Sequence, residues 1–245
     1  QASRANWFTD RQQNAPRNRN RYSRRNNRGK KPNQETRRSP TSKYRRLLRQ
    51  QKTGTVILGA GFSKRFGADK RLHQLDGCSV AETTIKTYLK AFKNIRIVLR
   101  PEDDELANLL ETFDVELLRS KNAVSGMGHS LSDGITNLDW HWAFIALLDM
   151  PFIKPETLRS LINSAEKANP QTHRVIRARL NSNPSQTAHP IGFHNSLFSE
   201  LSKCSGDTGA KPIIQKYSSE IFDVEFEDLG LCQDIDRPTD LKKKT

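Results

Sequence analysis

A chain of 245 residues with 41 lysines and arginines against 27 aspartates and glutamates carries a formal charge of +14, yet the excess sits at one end. Residues 1–52 hold 17 of the bases and only two acids, Asp10 and Glu35, leaving 24 bases and 25 acids downstream; the rest is near neutral, so the overall charge does not describe what it binds. Three widely spaced cysteines, Cys78, Cys204 and Cys232, argue against a disulfide framework and a zinc site, and no run approaches the roughly 18 consecutive apolar residues of a membrane span.

Two segments are expected: a basic tail over 1–52 and a domain over 53–245. The tail has almost no aliphatic residues before Leu47, so it cannot bury enough apolar surface to offset the entropy of ordering, and disorder is expected. It reads as a solvated extension or translated leader, and its lack of an amphipathic, Ser-rich helix leaves targeting unassigned. Its Trp7, Phe8, Tyr22 and Tyr44 among many arginines also allow a weak contact with RNA by phosphate neutralisation and stacking. Free thiols suit a reducing compartment, and a cytoplasmic protein away from membranes is expected.

Downstream, β-rich runs alternate with amphipathic stretches, which predicts an α/β fold with a mostly parallel sheet and helices on its faces. Strands are predicted at Thr55–Leu58, Ile95–Leu99, Val115–Leu118, Trp142–Leu148, Arg174–Ala178 and Ile221–Glu225. Helices are predicted from a Ser79 cap to Ala91, over Glu102–Thr112 behind Pro101, and from Pro155 to about Ala168. Asp76-Gly77 reads as a turn and Asn181–Thr187 as a polar loop.

The first strand opens into LGAGFSKRFGADKR. Gly59, Gly61 and Gly67 let backbone N–H groups approach phosphate oxygens, with Lys64, Arg65, Lys70 and Arg71 supplying positive charge around them. Neither GxxxxGK[ST] nor GxGxxG is met, since Lys64 stands where the third glycine of the dinucleotide fingerprint belongs. In a triphosphate site Arg65 can pair bidentately with the β and γ phosphates, and Lys70 can neutralise the α-phosphate during attack.

Further on, Asp149 follows the apolar run AFIALL, at the sheet edge where open α/β folds bind ligands; by position alone such an Asp is more often a cap or turn former. In Gln233-Asp234-Ile235-Asp236 alternation puts Asp234 and Asp236 on one side. Asn122, Gly126 and Ser130 lie in NAVSGMGHSL, where glycines before a helix allow backbone contact with a base or ribose. His129 there reads as a packing or surface residue rather than a general base. His189-Pro190 and the block SGDTGAK, with Asp207 and Lys211, complete the series; bland roles in a turn or a helix cap are open for His189 and Asp207.

Together these blocks resemble the MobA-like nucleotidyltransferases. The signature LxxGxSxRMGxxK is met at Leu58, Gly61, Ser63, Arg65, Gly67 and Lys70, with Phe66 for the usual Met. The D-x-P motif is met at Asp149-Met150-Pro151, and QDIDRPTDL is close to a DIDTPEDL ending, with Arg237 for Thr. NAVSGMGHSL is similar to N-x-G-x-x-x-S-L with altered spacing, and the HP and GDxGA blocks look like those of molybdenum-cofactor cytidylyltransferases, with Lys211 for a frequent Arg.

The resemblance implies a three-layer, Rossmann-like or GT-A-like nucleotidyltransferase fold and transfer of a nucleotide to molybdopterin or the molybdenum cofactor. It implies Mg²⁺ held by Asp149 and Asp236, a nucleotide cradled by Leu58, Gly59, Ala60, Gly61, Ser63, Arg65, Lys70, Asn122, Gly126 and Ser130, and an acceptor at His189, Pro190, Asp207 and Lys211. Arg65, Lys70 and Asp149 are the expected catalytic set. Ala60, standing as in LAAG rather than LAGG, favours CTP over GTP. Two other readings stand beside this: the same fold acting on a sugar phosphate or another small phosphate acceptor, and an RNA-binding protein in which the tail dominates and the domain is catalytically weakened.

Overall fold

The computed structural model describes residues 52–62, 66–183, 185–186, 188–237 and 239–240. The expectations for the basic tail, and those for Ser63, Lys64 and Arg65, lie outside the described residues.

In chain order the elements are β1 (Thr53–Leu58), a small hairpin of β2 (Gln74–Leu75) and β3 (Cys78–Ser79), α1 (Val80–Leu89), β4 (Asn94–Leu99), α2 (Asp104–Leu110), β5 (Glu116–Arg119), α3 (Met127–Ile135), β6 (Trp142–Leu147), α4 (Pro155–Lys167), β7 (Val175–Leu180), β8 (Ile191–His194), α5 (Phe198–Leu201), α6 (Lys211–Lys216) and β9 (Ile221–Phe226). Ser79 caps α1 in a reciprocal box with Glu82, and Pro155 starts α4 at a position where its missing N–H costs nothing. The predicted helices are present; α2 is shorter than expected at both ends.

Seven strands form one sheet in the order β5-β4-β1-β6-β8-β7-β9. β5, β4, β1 and β6 run parallel to one another, and β7 is parallel to β9, whereas β8 is antiparallel to both β6 and β7. Within this sheet β8 is the strand that sequence reasoning missed, as it also missed the short hairpin strands β2 and β3 outside it. β8 has four residues and carries Gly192, whose absent side chain leaves room for the Phe144 ring, since a Cβ there would stand 2.7 Å from it.

Alternation along the strands builds a core on each face. Ile57, Ile97 and Phe144 pack with Ile85 and Tyr88 of α1, Leu106 and Leu110 of α2, and Leu158 and Leu161 of α4. Val56, Val98 and Ile145 face the other way, onto Leu131 and Ile135 of α3, Leu201 of α5 and Ile213 of α6. Burying both faces of the parallel strands gives the three layers expected from the sequence. The parallel strands β1, β4, β5 and β6 all end on one edge, and the candidate site lies along it.

Candidate active site

A cavity of about 700 Å³ opens at this edge, and ten of the residues expected to form the site line it: Leu58, Gly59, Ala60, Gly61, Lys70, Gly126, Ser130, Asp149, Asp207 and Asp236. They come from the loop after β1, the start of α3, the end of β6, the loop before α6 and the C-terminal segment. Asn122, His189, Pro190 and Lys211 do not line it. Asn122 is exposed before a single 3-10 turn, and Lys211 is exposed at the start of α6. His189 donates its backbone N–H to the Leu231 carbonyl, and Pro190 is buried.

At one end of the cavity the Lys70 ammonium lies 2.6 Å from Asp149 Oδ2 and 3.2 Å from Asp236 Oδ1. Burial works against the charge on Lys70, but the two carboxylates outweigh it and hold its pKa above the ordinary lysine range. Asp234 also lines the cavity, and burial together with Asp149 and Asp236 raises its pKa. Asp234 and Asp236 are not on a strand, as alternation suggested, but flank the fully buried Ile235, whose N–H is bonded to the Asp149 carbonyl at 3.0 Å. That bond joins the C-terminal segment to the end of β6, which brings the two carboxylates together.

These residues fit a hard divalent cation. Two carboxylate oxygens already converge on a positive charge, and the other oxygen of Asp149, Oδ1, is buried with no hydrogen-bond partner. Among the described residues no cluster of three or more His, Cys, Asp or Glu could cage a metal. A pair of carboxylates plus substrate phosphates is how Mg²⁺ is commonly held.

Arg71 departs from expectation. Arg71 is 2 % exposed and lines the cavity, yet its guanidinium is tied into a network: it bonds Asp103 through two contacts of 2.6 Å, and also Asp69 and the Gly59 carbonyl. Arg100 joins the same carboxylates, at 2.6 Å from Asp103 and 3.3 Å from Asp69. Although burial opposes ionisation, the two arginines drive the Asp103 pKa down to about 2. The charge of Arg71 is therefore spent internally, clamping the glycine loop onto the turn after β4. The spacing of Arg71 beside Lys70 gave no sign of this, because its partner Asp103 is brought close only by strand pairing.

The remaining wall is made by close backbone packing. Gly126, at φ +117°, leaves no room for a side chain: a Cβ would lie 2.5 Å from Asp207 Oδ1, and one on Gly128 would lie 2.5 Å from the Ser205 backbone. Gly128 donates to the Gly206 carbonyl at 2.7 Å, and His129 Nδ1 accepts from the Gly206 N–H at 3.3 Å. His129 is thus a packing residue that helps hold Asp207 at the cavity. Phe62, Ala123, Val124 and Met127 also line it and were not singled out in the sequence.

The MobA-like NTP transferase domain matches residues 55–221. Among curated proteins, a probable molybdenum cofactor guanylyltransferase of Natranaerobius thermophilus is 30% identical over 113 residues, 46% of this chain and 54% of that protein. The purine catabolism protein PucB of Bacillus subtilis is 26% identical over 195 residues, 75% of this chain and 91% of PucB. The chain thus spans about half the length of the first relative and most of the second. In fold it is similar to Rv0371c of Mycobacterium tuberculosis, with a TM-score of 0.66 at 20% identity over 79% of this chain and 97% of that one. It is also similar in fold to a molybdopterin-guanine dinucleotide biosynthesis protein A of Archaeoglobus fulgidus, with a TM-score of 0.56 at 18% identity over 78% and 95%.

Proposed function

The chain belongs to the MobA-like NTP transferase family, a family of nucleotide-transferring enzymes, and from that premise we propose that it moves a nucleoside monophosphate from a triphosphate to the terminal phosphate of molybdopterin or the molybdenum cofactor, releasing pyrophosphate. The observation that carries this reading is the convergence of Asp149 and Asp236 on Lys70 at one end of the cavity. Lys70 would leave its carboxylates and pair with the α-phosphate as charge grows there. Arg65, by its place in the loop sequence, would pair with the β and γ phosphates. Asp149 and Asp236 would hold Mg²⁺, which when bound neutralises charge on the reacting phosphates. Asp207 and the start of α3 would bound the acceptor and ribose. The acceptor oxygen attacks the α-phosphorus in line, the bond to the β-phosphate oxygen breaks, and no covalent enzyme intermediate is needed.

CTP is favoured over GTP, on Ala60, whose small side chain lines the cavity directly after Gly59. A second reading keeps the donor site and changes the acceptor to a sugar phosphate or similar small phosphate. It is favoured by the absence of His189 and Lys211 from the cavity lining, since fold and triphosphate site alone do not fix the acceptor. Pyrophosphate release with CTP, GTP, ATP and UTP, each with and without molybdopterin, separates these: release that depends on molybdopterin and is fastest with CTP supports the first reading. Release stimulated only by other phosphates supports the second.

A further inference from the structure

The peptides around Asp149 are held by three hydrogen bonds. Leu148 donates its N–H to the Leu58 carbonyl at 3.1 Å, the Leu148 carbonyl accepts from the Thr84 hydroxyl of α1 at 2.9 Å, and the Asp149 carbonyl accepts from the Ile235 N–H at 3.0 Å. Two of these run from backbone to backbone, so no side-chain substitution removes them directly. The third comes from a side chain 64 residues earlier in the sequence, and Thr84 is fully buried. Thr84 itself does not line the cavity.

Inside a helix a threonine hydroxyl ordinarily turns back to the carbonyl four residues before it, and the Val80 carbonyl does lie 2.9 Å from Thr84 Oγ1. A hydroxyl has one proton to give, however, and the Val80 carbonyl already receives the Thr84 N–H in the helical ladder. The Leu148 carbonyl stands just past the end of β6, on a buried residue, where an acceptor without a partner is costly. The proton therefore does more there. The next residue carries the carboxylate whose Oδ2 is 2.6 Å from Lys70 and whose Oδ1 is buried without a partner, so a turn of the Leu148–Asp149 peptide swings both oxygens. A small hard cation tolerates little such error, and groups that orient its ligands commonly control affinity by about 10–100-fold. Resting on the nucleotidyl-transfer reading, we propose that Thr84 is a positioning residue, its hydroxyl holding the Leu148 carbonyl so that Asp149 presents its carboxylate to a divalent cation.

Titration of Mn²⁺ in the presence of CTP, followed by water-proton relaxation against Mn²⁺ with CTP alone, tests this on the full chain and on Thr84→Val and Thr84→Ser. Valine keeps the shape without the hydroxyl, and serine keeps the hydroxyl without the methyl. Thr84→Val should weaken Mn²⁺ in the ternary complex about tenfold or more with the metal-free affinity for CTP unchanged, while Thr84→Ser should stay near the parent. Unchanged Mn²⁺ binding by Thr84→Val overturns the proposal, as does Thr84→Ser binding as weakly as Thr84→Val, which would make the packing of the methyl the cause. An equal loss of metal-free CTP affinity also overturns it, by showing a distortion of the whole cavity. Should Thr84→Val not fold, Thr84→Ala against Thr84→Ser makes the same comparison, since the two differ only in the hydroxyl. If the parent chain adds nothing to the relaxation of Mn²⁺ with CTP, the nucleotidyl-transfer reading itself fails and the proposal with it, a result distinct from any of these.

Discussion

The Lys70 ammonium stands 2.6 Å from Asp149 Oδ2, in the position a cation would take between two carboxylates. The side chains are 10 % and 18 % exposed, so neither charge is well solvated and each depends on the other. Removing the ammonium while keeping the stem, as in Lys70→Met, leaves Asp149 and Asp236 repelling one another. We expect a stability loss of about 2 kcal/mol that millimolar Mg²⁺ or Mn²⁺ restores, whereas the parent melts at the same temperature with or without metal when nucleotide is absent. A variant melting point indifferent to metal would count against the two carboxylates as a cation site.

The Arg71–Asp103 pair makes a prediction about folding rather than catalysis. Both side chains are 3 % exposed, so Arg71→Ala takes one of two arginines from a buried carboxylate, leaving it to Arg100, and should cost about 3 kcal/mol, measured by urea denaturation. Adding Asp103→Ala to that variant should recover part of the loss. Losses that simply add would show the pair to be uncoupled.

His189 predicts a pH dependence. Burial pushes its imidazole down to about 4 despite the pull of Asp234, against an ordinary value of 6.5. Below pH 6.5 the unfolded chain takes up a proton the folded one refuses, so the contribution is whole above 6.5 and is lost as pH falls through 4. The parent should lose on the order of 3 kcal/mol over that window from this group, and His189→Gln should flatten the stability profile there. An unaltered profile in the variant would remove His189 as the source.

Gly128 joins α3 to the Ser205–Asp207 segment by backbone contact. Gly128→Ala inserts a methyl 2.5 Å from the Ser205 backbone, which must move. The expected result is a loss of about 1–3 kcal/mol in stability and a raised KM for the acceptor with the KM for nucleotide less affected. Equal rises in both would mean that the segment serves the nucleotide.

Much of the domain was legible in the sequence because its signals are local. Ser79 announces a capped helix and AFIALL a buried strand, and the glycine loop picked out after β1 lines the cavity. Asp149, Asp236 and Lys70 were identified by their blocks, and folding brings them within ion-pair distance. What escaped depends on pairing between distant segments. β8 is short and interrupted by Gly192, and its antiparallel place between β6 and β7 has no periodic signature. The pairing of Arg71 with Asp103 was hidden because strand order alone places the two together. Phe62 and Val124 read as loop residues, and only the fold brings them onto the cavity lining.

The central claim is that Asp149 acts with Lys70 in nucleotidyl transfer, and Asp149→Asn tests it with little change of shape. Pyrophosphate release from CTP in the presence of molybdopterin and Mg²⁺ should fall by at least about a hundredfold, the scale of a metal-held charge in the transition state, while the folded fraction stays high. A variant that releases pyrophosphate at the parent rate would contradict the assignment of Asp149 and, with it, the account of the site.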